Sequence, residues 1–544
     1  MEKINCFKKL NNPMTIIAFL AVLIFFGFAF NFFSYGINLD QKSEQKILFS
    51  NIKSYLKIFG CEDGLFYSEL ENDGIICIED NIDKYNGMAV FYPAFFVYFI
   101  NRTSPYAGML VWQSYIFLIY SLGLVSLFFL LRSLFSDIST AYLGTLIYYL
   151  TPRFFAECHY NNKDIVQLSL LFCILLCGWK IYEKLSWKWV ILFSVVGAFA
   201  SNMKIIGMFT WCGTGLVVIF FLLMNKRLKP AVFIKIFSSL ILFVLVYMCI
   251  TPACRSGLFT FWRFLIASAQ NFWWNDYVLF KGALYNKEIT GIPRAYLPTL
   301  MFITIPVGII ILFIAGLLLS AFDLIKHPSK IITETGYMFA GFGLSFLPLL
   351  YAVYSKTPVY NGWRHFYFSY AGIILIVSYC IDRLLDVFRK KKNIIVSVIG
   401  IYLLFLFTGI LLNHPYEYSY FNVLSGENIE TVYELDYWDM SFKQAYEYLL
   451  KDTDADSFTV ASLSNPGKWG LENQYFAIRG RERNPIQFCE DWHEADYLII
   501  NPTYAFMYAG PDYEYVKNEY ELIKEIDSYG NVICEIYKKQ KASE

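Results

Sequence analysis

The chain has 544 residues, of which 57% are hydrophobic and 19% aromatic, and its formal net charge is zero. Its apolar residues recur in runs of about 20, each long enough to cross a bilayer core, which excludes an ordinary soluble class. No cluster of basic residues predicts a groove for nucleic acid, so a nucleic-acid partner is not expected.

Eleven apolar segments are predicted to cross the membrane as helices. They are 12–34, 107–131, 138–156, 165–184, 188–203, 206–225, 231–252, 297–322, 336–354, 364–386 and 393–413. The first is too long for a secretory signal peptide and lacks a small-residue cleavage site, so we interpret it as an anchor. Segment 88–100 would break the alternation of loops if it spanned, so we predict that it lies in the interface.

Lys and Arg in the short loops predict the orientation, because these residues concentrate on the cytoplasmic side. The basic positions are Lys3, Lys8, Lys9, Lys180, Lys184, Lys188, Lys226, Arg227, Lys229, Lys326, Lys330, Arg383 and 389–392. With 11 spans, all of them fall on one side. The sequence therefore predicts a multi-pass protein of the cell membrane with a cytoplasmic N-terminus and an extracytoplasmic C-terminus.

The predicted outer segments divide the chain into two domains. Residues 1–413 form the membrane domain, whose longer outer loops are 36–106 and 253–296. Residues 414–544 hold 24 Asp or Glu against 11 Lys or Arg, as expected of an exposed domain. A helix-like stretch at 441–451 and β-rich runs at 457–460 and 497–500 predict a small extracytoplasmic α/β fold. In loop 36–106, an amphipathic helix is expected around 44–59.

The 12 cysteines are scattered, and none has the spacing of a zinc site. Cys61 and Cys77 share the first outer loop, and Cys489 and Cys534 share the tail. Either pair could form a disulfide in an oxidising compartment. No cofactor is predicted; a divalent metal is possible but nothing in the sequence indicates one.

Asp40 and Asp164 are the two carboxylates of greatest interest. Asp40 follows the first span by a few residues, where a charge is costly unless water, a pocket or a partner compensates. It is either a solvated loop residue or a general base. Asp164 closes the outer turn 157–164, which also carries His, Asn and Lys. It could cap the following helix, and capping is compatible with a functional role.

Aromatic and basic residues mark three further outer positions. Trp273-Trp274-Asn275 and the stretch 291–298 with Arg294 fit either an interfacial aromatic belt or sugar stacking, with Arg294 suited to a phosphate. Arg364 and His365 could snorkel to headgroups or stabilise a lipid-linked phosphate as it leaves. Lys204, at another outer turn, could serve the same purpose. Residues 413–415, with the blocks that follow, are interpreted chiefly as a linker on the membrane surface.

Taken in order, these segments resemble the bacterial relatives of the protein O-mannosyltransferases, a family of GT-C membrane glycosyltransferases. The family's Asp-Glu pair matches Asp40-Gln41, and its Asn-Pro-Lys-Asp turn matches residues 161–164. Its Leu-Pro-x-x-Tyr-Leu-Pro stretch matches 292–298, and its Asp-Gly-x-Arg-His block matches 361–365. Its Tyr-Phe-Asn and Glu-x-Asp-Tyr-Trp blocks match 420–422 and 434–438. Gln41 and Asn361 depart from the family pattern, and Gln41 puts a second acidic contact to acceptor or metal in question.

The resemblance implies a GT-C-like fold and inverting transfer of a hexose or pentose from a polyprenyl-phosphate donor. The acceptor would be a hydroxyl of a glycan, lipid or protein, and membrane lipid would be a further partner. Asp40 would act as the base. The residues implied are Asp40 and Asp164 as catalytic groups, with Gln41, Lys163, Lys204, Arg294, Tyr296, Arg364 and His365 as substrate-binding groups.

Three alternatives stay open at the level of sequence. A transporter or flippase of lipid-linked sugars would carry polar residues near mid-membrane, whereas here the unusual residues lie at the outer ends of spans. A glycan ligase or polymerase would also act outside on lipid-linked sugars. An inactive relative that only binds glycan is made conceivable by Gln41.

Overall fold

The computed structural model describes residues 10–31, 35–270, 276–452, 457–479 and 486–540. In these ranges, nine helices are long and apolar enough to cross a membrane, and each matches a predicted span. They are Pro13–Phe30, Pro105–Leu134, Asp164–Lys184, Ile206–Met224, Pro230–Ile250, Val307–Lys326, Glu334–Ser355, Arg364–Val387 and Arg389–Asn413. The prediction of a polytopic α-helical membrane protein is confirmed.

The two remaining predicted spans differ from the nine. Segment 188–203 forms the shorter helix Trp187–Met203. The prediction of one continuous span over 138–156 is wrong, because the chain forms helices Ile138–Tyr149 and Pro152–Glu157. Pro152 disfavours helical geometry at the preceding residue, and Thr151 is extended with ψ 117°.

A proline also divides the predicted span 297–322. Its two parts are Tyr296–Thr304 and Val307–Lys326, and Ile305, just before Pro306, is extended with ψ 135°. At this break, the last carbonyls of the first helix lack the N–H partners that a continuous helix would provide. The Nδ2 group of Asn422 donates to the carbonyls of Phe302 at 2.8 Å and Ile305 at 2.7 Å. Asn422, in the predicted linker after residue 413, therefore supplies the hydrogen bonds that these carbonyls lack within the helix.

Two helices occupy the centre of the membrane domain and position the site. In their apolar windows, 83% of residues are buried for Arg364–Val387 and 72% for Asp164–Lys184, against 22% for Pro13–Phe30. Helix Asp164–Lys184 packs on Pro105–Leu134, Trp187–Met203 and Ile206–Met224. Because Asp164 and Arg364 each begin a central helix, their side chains come together at one end of the domain.

Loop 36–106 is mostly helical. It contains helices Gln41–Ile58, Leu65–Asn72 and Val97–Thr103, with 3₁₀ turns at Ile78–Asp80 and Ala89–Ala94. The helix expected around 44–59 is present and begins three residues earlier. The predicted interfacial helix 88–100 is interrupted at 95–96, after the turn that contains Pro93.

Loop 253–296 contains a 3₁₀ turn at Pro252–Cys254, the amphipathic helix Leu258–Gln270 and a hairpin of strands β1 (Tyr277–Phe280) and β2 (Ala283–Asn286). The hairpin pairs Tyr277 with Asn286. Phe280 also bridges Tyr433, which ties this loop to the tail. Trp273-Trp274-Asn275, for which the sequence left both an aromatic belt and sugar stacking open, lies outside the described residues.

The tail forms a five-stranded sheet, as the predicted α/β domain requires. Its strands are β3 (Phe458–Ala461), β4 (Ile486–Phe488), β5 (Tyr497–Ile500), β6 (Tyr520–Ser528) and β7 (Asn531–Lys539). They lie in the order β4-β3-β5-β7-β6, with β3 parallel to β4 and β5 and the other pairs antiparallel. The tail helices are Ile429–Val432, Phe442–Asp452, Asn465–Tyr475, Pro502–Tyr508 and Gly510–Glu519.

The structure contains neither of the disulfides that the sequence left possible. Cys61, Cys77, Cys489 and Cys534 are free thiols. Cys61 is exposed and Cys77 is buried, as is Cys534 inside the tail sheet. In the described part of the chain, loop 36–106 and the tail are therefore held by packing and hydrogen bonds.

Candidate functional site

Asp40 lies at the N-terminal end of helix Gln41–Ile58, in the loop that follows the first span. Its Oδ2 atom is 3.0 Å from Nη1 of Arg364, and its side chain is 46% exposed. Within the described ranges, Arg364 is the ion-pair partner of this carboxylate, and about half of the side chain is open to solvent. The ion pair and the exposure to solvent both reduce the desolvation cost of a charged carboxylate at this position.

Arg364 is positioned by a tight turn and by aromatic rings. Asn361 and Gly362 both have left-handed φ angles, 53° and 72°, and the glycine adopts such a value without strain. The chain then enters the 3₁₀ turn Arg364–Ser369. The guanidinium lies 5.0 Å from the ring centroids of Tyr360 and of Trp438, within cation–π range. The buried Arg364 guanidinium is therefore held in place by the rings of Tyr360 and Trp438.

Asp164 is the most enclosed member of this ion-pair cluster, with a side chain 2% exposed. It forms a short ion pair with Lys204, and its Oδ2 lies 3.8 Å from Arg364 Nη1. It does not cap its own helix: the side-chain oxygen of Asn161 accepts from the backbone N–H of Asp164 at 2.8 Å. Since Asn161 provides the cap, the Asp164 carboxylate is free to pair with Lys204 and Arg364.

Glu157 is a buried carboxylate that sequence reasoning missed. Its Oε1 accepts from Tyr367 at 2.5 Å and from Tyr437 at 2.9 Å, while its Oε2 accepts from Asn161 Nδ2 at 2.6 Å. Asn161 Nδ2 also lies 3.2 Å from Asp164. Glu157 thus fixes the turn that carries Asp164. The available signal was a glutamate directly after the apolar residues 154–156, because a charge that becomes buried requires partners.

Lys163 faces helix Gln41–Ile58 rather than the ion-pair cluster. Its Nζ donates to the Gly87 carbonyl at 2.8 Å and lies 3.1 Å from Glu44 Oε2. Burial raises the pKa of Glu44, and Lys163 opposes that shift by favouring the charged carboxylate. Lys163 therefore links the 157–164 turn to helix Gln41–Ile58, which follows Asp40.

The other predicted site residues have different surroundings. Gln41 is buried, and its Oε1 has no hydrogen-bond partner among the described residues. The His365 ring packs against Tyr360 with centroids 4.7 Å apart. Arg294 lies outside the cluster: it is exposed and donates to the Tyr354 carbonyl at 3.3 Å. Tyr296 is buried, donates to Glu434 at 3.1 Å and accepts from the Gly362 N–H at 3.1 Å.

A narrow cavity lies between the membrane domain and the tail. Its lining includes Arg153, Thr304, Trp363, Glu434 and Tyr437. Its volume of about 10 Å³ has room for roughly one water molecule. In this conformation the cavity is too small for a sugar ring. Among the described residues, no group of three or more His, Cys, Asp or Glu side chains could hold a metal ion.

Burial raises the pKa of Glu434 to about 8, although the Tyr296 hydroxyl and Arg364 favour its charged form. Since the ordinary pKa is 4.5, the folded protein keeps a proton that the unfolded chain loses. Stability should therefore fall as the pH rises from about 4.5 to about 8, by a few kcal/mol at roughly 1.4 kcal/mol per pKa unit. Glu434→Gln should remove this slope and raise the melting temperature of detergent-purified protein at pH 9. Parallel melting curves of the two proteins from pH 5 to 9 would contradict this prediction.

Comparisons with known proteins agree with the resemblance seen in the sequence. Residues 93–254 match the family model described as dolichyl-phosphate-mannose-protein mannosyltransferase. This range includes Asp164 and Lys204, whereas Asp40 and Arg364 lie outside it. The predicted resemblance is thus confirmed over that range. A search of curated proteins found no match.

Solved structures of ArnT from Cupriavidus metallidurans are also similar to this chain. The apo structure has 10% identity and a TM-score of 0.49, covering 96% of this chain and 97% of its own. The structure bound to undecaprenyl phosphate has 10% identity and a TM-score of 0.46, covering 97% and 98% respectively.

Proposed function

We propose that this chain is a membrane glycosyltransferase that moves a sugar from a polyprenyl-phosphate donor to an acceptor hydroxyl, with inversion. The observation that carries the proposal is the ion-pair cluster of Asp40, Asp164, Lys204 and Arg364 at one end of the membrane domain. The family match over residues 93–254 supports a lipid-phosphate sugar as the donor class. The basic loops support the extracytoplasmic face as the site of reaction.

The two carboxylates differ in a way that separates their roles. Asp40 has one cationic partner at 3.0 Å and a half-exposed side chain, so an acceptor hydroxyl can reach it. Asp164 is almost fully enclosed and faces both Lys204 and Arg364. A carboxylate neutralised by two cations is a poor base. We therefore assign proton removal to Asp40 and the positioning of the cations to Asp164.

In the proposed reaction, the acceptor oxygen attacks the anomeric carbon from the face opposite the phosphate, while Asp40 takes its proton. A new carbon–oxygen bond forms as the anomeric carbon–oxygen bond to phosphate breaks, and the lipid phosphate leaves with that electron pair. Arg364 and Lys204 supply positive charge for the departing phosphate. His365, beside Tyr360, stays a second candidate for donor contact.

The ion pair between Asp40 and Arg364 should affect how the donor phosphate binds. Arg364 Nη1 is 3.0 Å from Asp40 and 3.8 Å from Asp164, so the guanidinium is already shared between two carboxylates. A donor phosphate would compete with Asp40 for this guanidinium. When Arg364 turns toward the phosphate, the Asp40 carboxylate loses its ion-pair partner and becomes available to the acceptor hydroxyl. Donor binding would thereby prepare the base for the acceptor.

The direct test is transfer by purified protein in liposomes with radiolabelled polyprenyl-phosphate sugars. A hexosyl and a pentosyl donor should be compared, with glycan, lipid and peptide acceptors. The proposal expects labelled acceptor and an equal amount of released polyprenyl phosphate. Movement of the intact donor across the bilayer without a new glycosidic bond would identify a transporter instead.

A further inference from the structure

A glutamine of the C-terminal domain holds the backbone of the loop that carries Asp40. Gln474 belongs to helix Asn465–Tyr475 and is fully buried. Its Oε1 accepts from the Ile37 N–H at 2.9 Å, and its Nε2 donates to the Ile37 carbonyl at 2.5 Å. The side-chain amide thus satisfies both backbone groups of one residue, 437 positions away in sequence and three residues before Asp40.

The neighbouring backbone of this loop is held by the membrane domain. Gln113 Nε2 donates to the Gly36 carbonyl at 2.7 Å, and the Asn38 side chain donates to the Tyr160 carbonyl. The Gln41 N–H donates to the Asn38 carbonyl at 3.1 Å, which leads directly into the helix after Asp40. Gln474 therefore contributes the central one of three successive attachments, and it is the one made by the tail.

Other tail residues contact the same segment on both sides. Lys443 Nζ lies 3.4 Å from the Tyr35 carbonyl, and Lys42 Nζ lies 3.7 Å from the ring centroid of Phe476. Gln474 Nε2 also lies 3.4 Å from the Trp438 carbonyl. The Trp438 ring packs on the Arg364 guanidinium. Gln474 therefore contacts both the loop that carries Asp40 and the residue that packs on Arg364.

Gly36 makes this close approach possible. A Cβ atom at residue 36 would lie 2.3 Å from Gln474 Oε1 and 3.3 Å from the Met440 carbonyl oxygen. The first distance is well inside van der Waals contact, so alanine at this position would displace the glutamine amide. The loop and the tail helix therefore fit each other at two positions far apart in sequence.

We propose that the C-terminal domain positions the loop of Asp40 for catalysis, with Gln474 as the positioning residue. The proposal rests on the proposed function, in which Asp40 is the base. Buried amide hydrogen bonds to the backbone fix the loop, and a displacement of about 1 Å at a reacting group can lower a rate about 100-fold. The tail domain is then part of the active site's framework.

Gln474→Leu removes both hydrogen bonds at similar side-chain volume, and Gly36→Ala displaces the same amide from the other side. Both variants should lose about 10- to 100-fold in kcat while the donor KM changes less than about twofold. Gln487→Leu, an exposed position on strand β4, is the matched control and should keep wild-type kcat. Wild-type kcat in Gln474→Leu would overturn the proposal.

Hydrogen–deuterium exchange tests the same contact without relying on activity. Peptides that span residues 35–40 should exchange faster in Gln474→Leu and Gly36→Ala, whereas peptides from strand β7 should keep their protection. Unchanged protection of 35–40 in both variants would overturn the proposal even if activity fell. If the wild-type protein transfers no sugar, the proposed function fails, and the exchange experiment still decides whether the tail holds this loop.

Discussion

Asp40→Asn should abolish sugar transfer while the protein stays folded in the membrane. The amide has nearly the same volume, and its oxygen can still accept from Arg364, but it cannot take a proton from the acceptor. Loss of a general base typically lowers kcat about 10²- to 10⁴-fold. Radiolabelled transfer from the lipid donor in membranes measures this loss, with donor KM expected to change little.

Asp63→Asn is the matched control, because Asp63 is exposed in the same loop 36–106 and the substitution is chemically the same. It should retain wild-type activity. Monodisperse elution of Asp40→Asn after detergent extraction would establish that its fold is intact. Full transfer activity in that variant would exclude Asp40 as the base.

Arg364→Ala should produce the second large effect, on the use of the donor. The substitution removes the guanidinium that is shared by Asp40 and Asp164 and that we assign to the phosphate. We expect donor kcat/KM to fall about 10²- to 10³-fold, the size found when an electrostatic stabiliser is lost. Initial rates over a range of donor concentrations measure this ratio.

The alanine variant should also be less stable. Removing one partner of a fully buried ion pair costs about 3–5 kcal/mol. The loss here should be smaller, because Asp40 is half-exposed and Asp164 keeps Lys204 as a partner. Arg364→Lys separates the two effects, since it keeps the charge but loses the planar fork that binds phosphate at two points. Arg102→Ala, at an exposed ion pair with Asp73, serves as the control. Unchanged donor kinetics in both Arg364 variants would remove this residue from the proposed site.

Local signals in the sequence were sufficient for most of the fold. Long apolar runs identified the nine spans found among the described residues, because crossing a bilayer requires a stretch that is recognisable without tertiary context. Alternation and helical periodicity also identified the α/β tail. The interruptions were harder to predict, since runs such as 138–156 remain apolar on both sides of Pro152.

The candidate site was predictable residue by residue but not as an arrangement. Asp40, Asp164, Lys204 and Arg364 stood out because charged groups are unusual beside apolar spans, and the family resemblance ordered them. Arg294 carried the same kind of signal, yet the structure places it outside the cluster. Nothing in the sequence distinguishes a basic residue that packs outward from one that packs inward.

The sequence by itself determined the membrane class and the residues able to do chemistry, because hydropathy, charge and turn chemistry act over short stretches of chain. Only the tertiary structure decided which of these residues meet. The Asp40–Arg364 pair joins positions 324 residues apart, and Gln474 reaches Ile37 across 437 residues. Such contacts depend on how the helices and the tail pack, and a glutamine among many polar tail residues gives no local sign of that role.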